Sequence, residues 1–197
     1  GYALPASICV YPNFAGVVKA AKKCDDVHVT VVSACFPSSQ SFLEVKLKEC
    51  EMAVGSGADE VDIVLSLSAF LSGDYEAAGN EIKAVRQAVD AAAAAQGRKV
   101  TLKVILETGL LISHELIAQA SFLAMESGAD FIKTSTGKVS VNATPAAAYV
   151  MCQCIAKYYD KTGRKVGFKP AGGISTSLDA VCYYSIVSTV LGKEWLD

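Results

Sequence analysis

Gly128-Ala129-Asp130-Phe131-Ile132-Lys133-Thr134-Ser135-Thr136-Gly137-Lys138 sets a lysine inside an apolar run of strand character and closes it with a glycine turn. Side chains alternate along a strand. Lys133 and Ser135 therefore share one face, and Ile132 lies on the other. The same parity recurs elsewhere. Asp62 sits in Val61-Asp62-Ile63-Val64, on one face with Glu60. Lys103 sits in Leu102-Lys103-Val104-Ile105, on one face with Glu107. Lys169 follows Gly167-Phe168. In each run one face is apolar and suits packing under helices, while the other gathers charge.

Around these runs the chain alternates strand with helix, at a spacing of roughly 30 residues, the size of a βαβ unit. Strand-like runs fall at Ser7–Tyr11, Val27–Ala34, Glu60–Leu65, Thr101–Glu107, Asp130–Ser135 and Lys165–Lys169. Helical patterns fall near 14–24, 40–56, 74–96, 111–127, 144–160 and 176–191. Thr144-Pro145 reads as an N-cap and first helical residue, and Thr176 with Asp179 has capping-box spacing. Such alternation means a parallel sheet, open or closed. An open sheet with helices on both faces offers no common space for charged side chains from several strands. A barrel does, in its lumen. The fold expected is α/β, a (β/α)8 TIM barrel. A complete one runs to about 250 residues. Six strands in 197 residues predict a single barrel domain over 1–197, incomplete at both ends and lacking its first and last strands.

Hydrophobic residues make up 52% of the chain and the mean hydropathy is +0.34. That suits strands buried on both faces. No uncharged apolar run approaches the ~18 residues of a membrane span, and the opening residues lack the basic start of a signal peptide. The net charge of −2 has both signs interspersed, so no nucleic-acid stripe is expected. Seven scattered cysteines favour a reducing compartment, the cytoplasm. Cys152 and Cys154 read as small helix residues, not as a zinc site.

Charges inside buried strands have an ordinary reading: a structural network of Lys–Glu and Lys–Asp pairs. It suits Glu60, Lys103 and Glu107. It suits Lys133 and Lys169 less well, because both end their strands at glycine-containing turns, and in barrels that end carries the chemistry. A free lysine has a pKa near 10.4, so only ~0.04% is nucleophilic at pH 7. Desolvation and a neighbouring ammonium both favour the neutral amine. Thr136-Gly137-Lys138 is not a P-loop, because the glycine required at position 132 is Ile132. Pro170-Ala171-Gly172-Gly173-Ile174-Ser175-Thr176 runs from a strand into a capped helix, a ready place for phosphate. Cys9 and Cys35 fall near strand ends and read as packing residues.

These segments, with Gly57-Ala58-Asp59-Glu60-Val61-Asp62, Leu102-Lys103-Val104-Ile105-Leu106-Glu107-Thr108, Val141-Asn142-Ala143-Thr144-Pro145 and Gly167-Phe168-Lys169-Pro170-Ala171-Gly172-Gly173, resemble the deoxyribose-phosphate aldolase family in order and spacing. The resemblance covers nearly the whole chain. It implies a class I aldolase without metal or cofactor, cleaving 2-deoxy-D-ribose 5-phosphate reversibly to acetaldehyde and glyceraldehyde 3-phosphate. It implies Lys133 as the Schiff-base lysine, Lys169 as the second lysine that keeps it uncharged, and Asp62 as the proton relay. Gly137, Lys138, Gly172, Gly173 and Ser175 would surround the phosphate, with Lys103, Glu107, Ser135 and Cys9 as supporting lumen residues. The partner implied is a small phosphorylated sugar, with no nucleic acid and no membrane; a homo-oligomer is compatible with it. Two departures stand out. Ser175 occupies a position where the family usually has arginine, and the family's Asn-Phe-Pro turn reads Cys35-Phe36-Pro37. They leave room for another carbonyl substrate, or for a non-catalytic barrel that serves as a binding scaffold.

Overall fold

The computed structural model describes residues 4–196; residues 1–3 and 197, the ends of the expected domain, lie outside the described residues. Six strands follow one another in space as in sequence, all parallel. They are β1 (Ser7–Val10), β2 (His28–Val32), β3 (Glu60–Val64), β4 (Thr101–Ile105), β5 (Phe131–Lys133) and β6 (Gly167–Lys169). The sheet curves into a half-barrel; among the described residues β1 and β6 are its edges and do not pair with each other.

Helices cover the outer face: α1 (Ala15–Ala21), α2 (Leu43–Gly55), α3 (Leu67–Leu71), α4 (Tyr75–Ala94), α5 (His114–Glu126), α6 (Pro145–Thr162) and α7 (Ser177–Val190). Their starts follow local chemistry. Asp74, Ser113, Thr144 and Thr176 each accept a backbone N–H of the first turn through a side-chain oxygen. Thr176 and Asp179 complete the reciprocal capping box, and Gly163 ends α6 in the left-handed conformation. α3 was not expected. It is one turn and a half, too short to show a periodic pattern.

The outward parity of the strands forms the core. Val29, Val31, Val61, Ile63, Leu102, Val104 and Ile132 are essentially fully buried against the helices. The inward parity stacks in layers set by register. Above the Ser7–His28 pair, the first full layer holds Cys9, Thr30, Glu60 and Thr101. The next holds Val32, Asp62, Lys103, Phe131 and Gly167. The uppermost, at the carboxyl ends of the strands, holds Val64, Ile105, Lys133 and Lys169. Gly167 is required where it stands: a Cβ there would lie 2.1 Å from the Phe131 ring.

One charge lies outside this plan. Lys46 on α2 is 2% exposed and binds Glu81 of α4 at 2.8 Å and Ser39 at 3.1 Å. The pair fixes the β2–α2 loop to α4.

Candidate active site

Asp62 is 1% exposed and receives two amines. Its Oδ1 accepts from Lys103 Nζ at 3.1 Å and its Oδ2 from Lys133 Nζ at 2.6 Å. Lys103 also binds Glu60, which accepts from Thr30 and meets His28 Nδ1 at 2.9 Å. A continuous chain of hydrogen bonds thus runs His28, Glu60, Lys103, Asp62, Lys133. It starts at a half-exposed histidine below the sheet and ends at an amine that is 7% exposed near the top. Lys133 and Lys169 are direct register partners on adjacent strands.

The electrostatics follow from this crowding. Burial and the charge of Lys103 push Lys169 below the ordinary lysine range; Asp62 opposes them and Lys133 adds to them. Burial alone would raise the Glu60 carboxyl. The charge and hydrogen bond of Lys103, with Thr30 and His28, outweigh it and hold Glu60 at about 2. The folded carboxyl then binds its proton less tightly than the unfolded one. Between pH 4.5 and pH 2 the unfolded chain holds more protons, so this contribution is present above the window and is lost as pH falls through it. Screening of a partly solvated group limits it to about 1–2 kcal/mol. Glu60→Gln should flatten the fall in stability across that window, measured by denaturant unfolding from pH 6 to pH 2. A slope equal to the parent's would exclude Glu60 as its source.

Cys9, read as a packing residue, is exposed on the open side of the lumen. It faces the same cluster: burial and Asp62 push its thiol up, against Lys133, Lys103 and Lys169. Ser135 is fully buried and its hydroxyl has no partner among the described residues. Glu107 does not join Lys103. β4 ends at Ile105, and Glu107 takes a left-handed conformation (φ 55°, ψ 56°) that turns its carboxylate to Thr136. Strand parity carried past the end of a strand misplaces such a residue.

Two glycine turns rise above Lys133 and Lys169, and both are stitched together. Thr134 Oγ1 accepts from Ala171 N at 2.9 Å, and Ala143 N donates to the Ala171 carbonyl at 3.2 Å. Gly137, Gly172 and Gly173 have positive φ of 80°, 82° and 75°. Their N–H groups donate no hydrogen bond to described residues, which leaves them for a ligand. Lys138 and Ser175 flank them, but the Ser175 N–H is taken by Asp179 at 3.3 Å. Lys138, Gly173 and Ser175 are exposed. Among the described residues no three His, Cys, Asp or Glu side chains are grouped to hold a metal, and no helix is long and apolar enough to cross a membrane.

Residues 3–182 match the family model described as DeoC/LacD family aldolase. The chain is 44% identical over 193 residues to the deoxyribose-phosphate aldolase of Homo sapiens, covering 97% of this chain and 58% of that protein. It is 44% identical over 190 residues to the deoxyribose-phosphate aldolase of Agrobacterium fabrum, covering 96% of this chain and 69% of that protein. Among solved structures, the tetrameric deoxyribose phosphate aldolase of Aeropyrum pernix superposes with a TM-score of 0.73 at 27% identity, covering 90% of this chain and 68% of that one. The chain spans about three-fifths of the length of the animal relatives it matches.

Proposed function

Because the chain belongs to the DeoC/LacD family of aldolases, we propose that it performs Schiff-base aldol chemistry on 2-deoxy-D-ribose 5-phosphate. Lys133 is the nucleophile, and the full-length protein closes the half-barrel into a (β/α)8 barrel in the cytoplasm, with neither metal nor cofactor. The reading is carried by one observation: a 7%-exposed amine 2.6 Å from a buried carboxylate and in register with a second lysine whose charged form is disfavoured.

The neutral Lys133 amine adds to the C1 aldehyde and water departs, leaving a protonated imine. A base takes the C3 hydroxyl proton, the C3 oxygen becomes a carbonyl, the C2–C3 bond breaks, and its electron pair forms the C1–C2 double bond of an enamine as the iminium nitrogen is neutralised. Glyceraldehyde 3-phosphate leaves. Protonation of the enamine carbon and hydrolysis release acetaldehyde and restore the amine. Asp62 exchanges protons with Lys133 and, through water, with the sugar hydroxyl. Phosphate held at Gly137, Lys138, Gly172 and Gly173 supplies remote binding energy that positions C1. Ser175 brings no charge to that grip.

The test is to trap full-length protein with acetaldehyde and borohydride and to map the mass gain. An adduct confined to Lys133 supports the reading. An adduct on Lys169 alone reverses the roles of the two amines, and no lysine adduct sinks the chemistry. The charge of Lys133 disfavours that of Lys169 across the register pair, and the repulsion is mutual. Lys169→Leu should therefore move the acid limb of the activity profile upward by roughly one pH unit. An unmoved limb removes Lys169 from the mechanism.

A further inference from the structure

Glu107 is a buried carboxylate without a cation. It is 2% exposed, and no lysine, arginine or histidine pairs with it among the described residues. Burying an ionisable group without compensation is costly. Its compensation comes from Thr136: Oε1 accepts the Thr136 N–H at 3.1 Å, and Oε2 accepts the Thr136 hydroxyl at 2.5 Å. To reach there, Glu107 adopts a left-handed backbone, which costs a non-glycine residue about 1–2 kcal/mol. Backbone bonds hold the peptide that follows it at both its carbonyl and its N–H. Leu110 N donates to the Glu107 carbonyl at 2.9 Å, and Thr108 N donates to Thr134 O at 2.9 Å.

The Thr136 hydroxyl in turn accepts Lys138 N at 3.0 Å. Two N–H groups of the Thr136-Gly137-Lys138 turn are thereby consumed internally, while Gly137 keeps its own free. Packing does not shape this turn, since a Cβ on Gly137 would meet nothing within 4 Å. Hydrogen bonds donated to Glu107 by Thr136 shape it.

We infer that Glu107 is a positioning residue that holds the Thr136-Gly137-Lys138 turn in the form that grips the phosphate of the substrate. The inference rests on the aldolase reading above. Glu107 touches neither the reacting carbons nor Lys133; it acts through Thr136. Its loss therefore weakens phosphate recognition and spares the amine chemistry.

The test compares Glu107→Gln, Thr136→Val and Thr136→Ser in the full-length protein. Losing one or two charge-assisted bonds should raise KM for deoxyribose 5-phosphate by about tenfold in Glu107→Gln and Thr136→Val. Their kcat should change less than about twofold, and unphosphorylated 2-deoxyribose should be turned over with little change. Half-inhibition by inorganic phosphate should need a proportionally higher concentration, and Thr136→Ser, which keeps the hydroxyl, should restore the parental KM. Equal losses on phosphorylated and unphosphorylated sugar, or an unchanged KM, overturn the inference. The acetaldehyde–borohydride adduct on Lys133 separates the two readings, since its absence from the parent protein sinks the aldolase chemistry itself. Calorimetric binding of inorganic phosphate then still reports on the turn: weaker binding in Thr136→Val supports the clamp, and equal binding overturns it.

Discussion

Lys133→Met lowers turnover of deoxyribose 5-phosphate by about 10⁴-fold or more, the scale on which loss of a covalent nucleophile acts, and leaves the fold intact. Methionine nearly matches lysine in length and lines an apolar layer with Val64 and Ile105. Asp62 keeps Lys103 at 3.1 Å, so the carboxylate is not stranded. The measurement is kcat with the purified full-length variant, beside its unfolding midpoint. Turnover within tenfold of the parent would show that Lys133 is not the reacting amine, whatever the family membership.

Asp62→Asn lowers kcat by about 10²–10⁴-fold, the usual reach of a proton-transfer group, and moves KM much less. An amide keeps the shape and still accepts from one amine, but it cannot take up and return a proton. Stability should fall as well. Lys103 and Lys133 are 3% and 7% exposed and lean on this one carboxylate, with Glu60 left to Lys103 alone. Breaking a buried pair by removing one partner costs about 3–5 kcal/mol, and the amide softens this. Steady-state kinetics on the phosphorylated sugar separate the effects. A parallel loss of kcat and substrate affinity would assign Asp62 to architecture.

The sheet was legible because its strands carry β-rich apolar residues on one parity and charge on the other. Ile132 and Lys133 read correctly from two adjacent letters, and the register of Lys133 with Lys169 follows from their common place at strand ends. What lay hidden was non-local. Nothing near Lys46 in sequence signals that α4 brings Glu81 to it, so its burial was not anticipated. α3 is too short for periodicity. Glu107 was placed by extending an alternation through a residue whose backbone reverses handedness. Cys9 reads in sequence both as a packing residue and as a supporting lumen residue; it is exposed, and it faces the lumen cluster from an edge strand. The glycine turns above Lys133 and Lys169 were recognisable from their glycines. That Thr134 and Ala171 join them was not, since the two residues are 37 positions apart.

The hydrogen-bonded line from His28 to Lys133 has a mechanical consequence. Five polar side chains held end to end share their geometry, each taking part of its orientation from the next. Replacing any member frees a donor or acceptor that its neighbours use, even His28, which lies three register layers below Lys133. The lumen is braced as one strut, and its lower end stands in the solvent beneath the sheet.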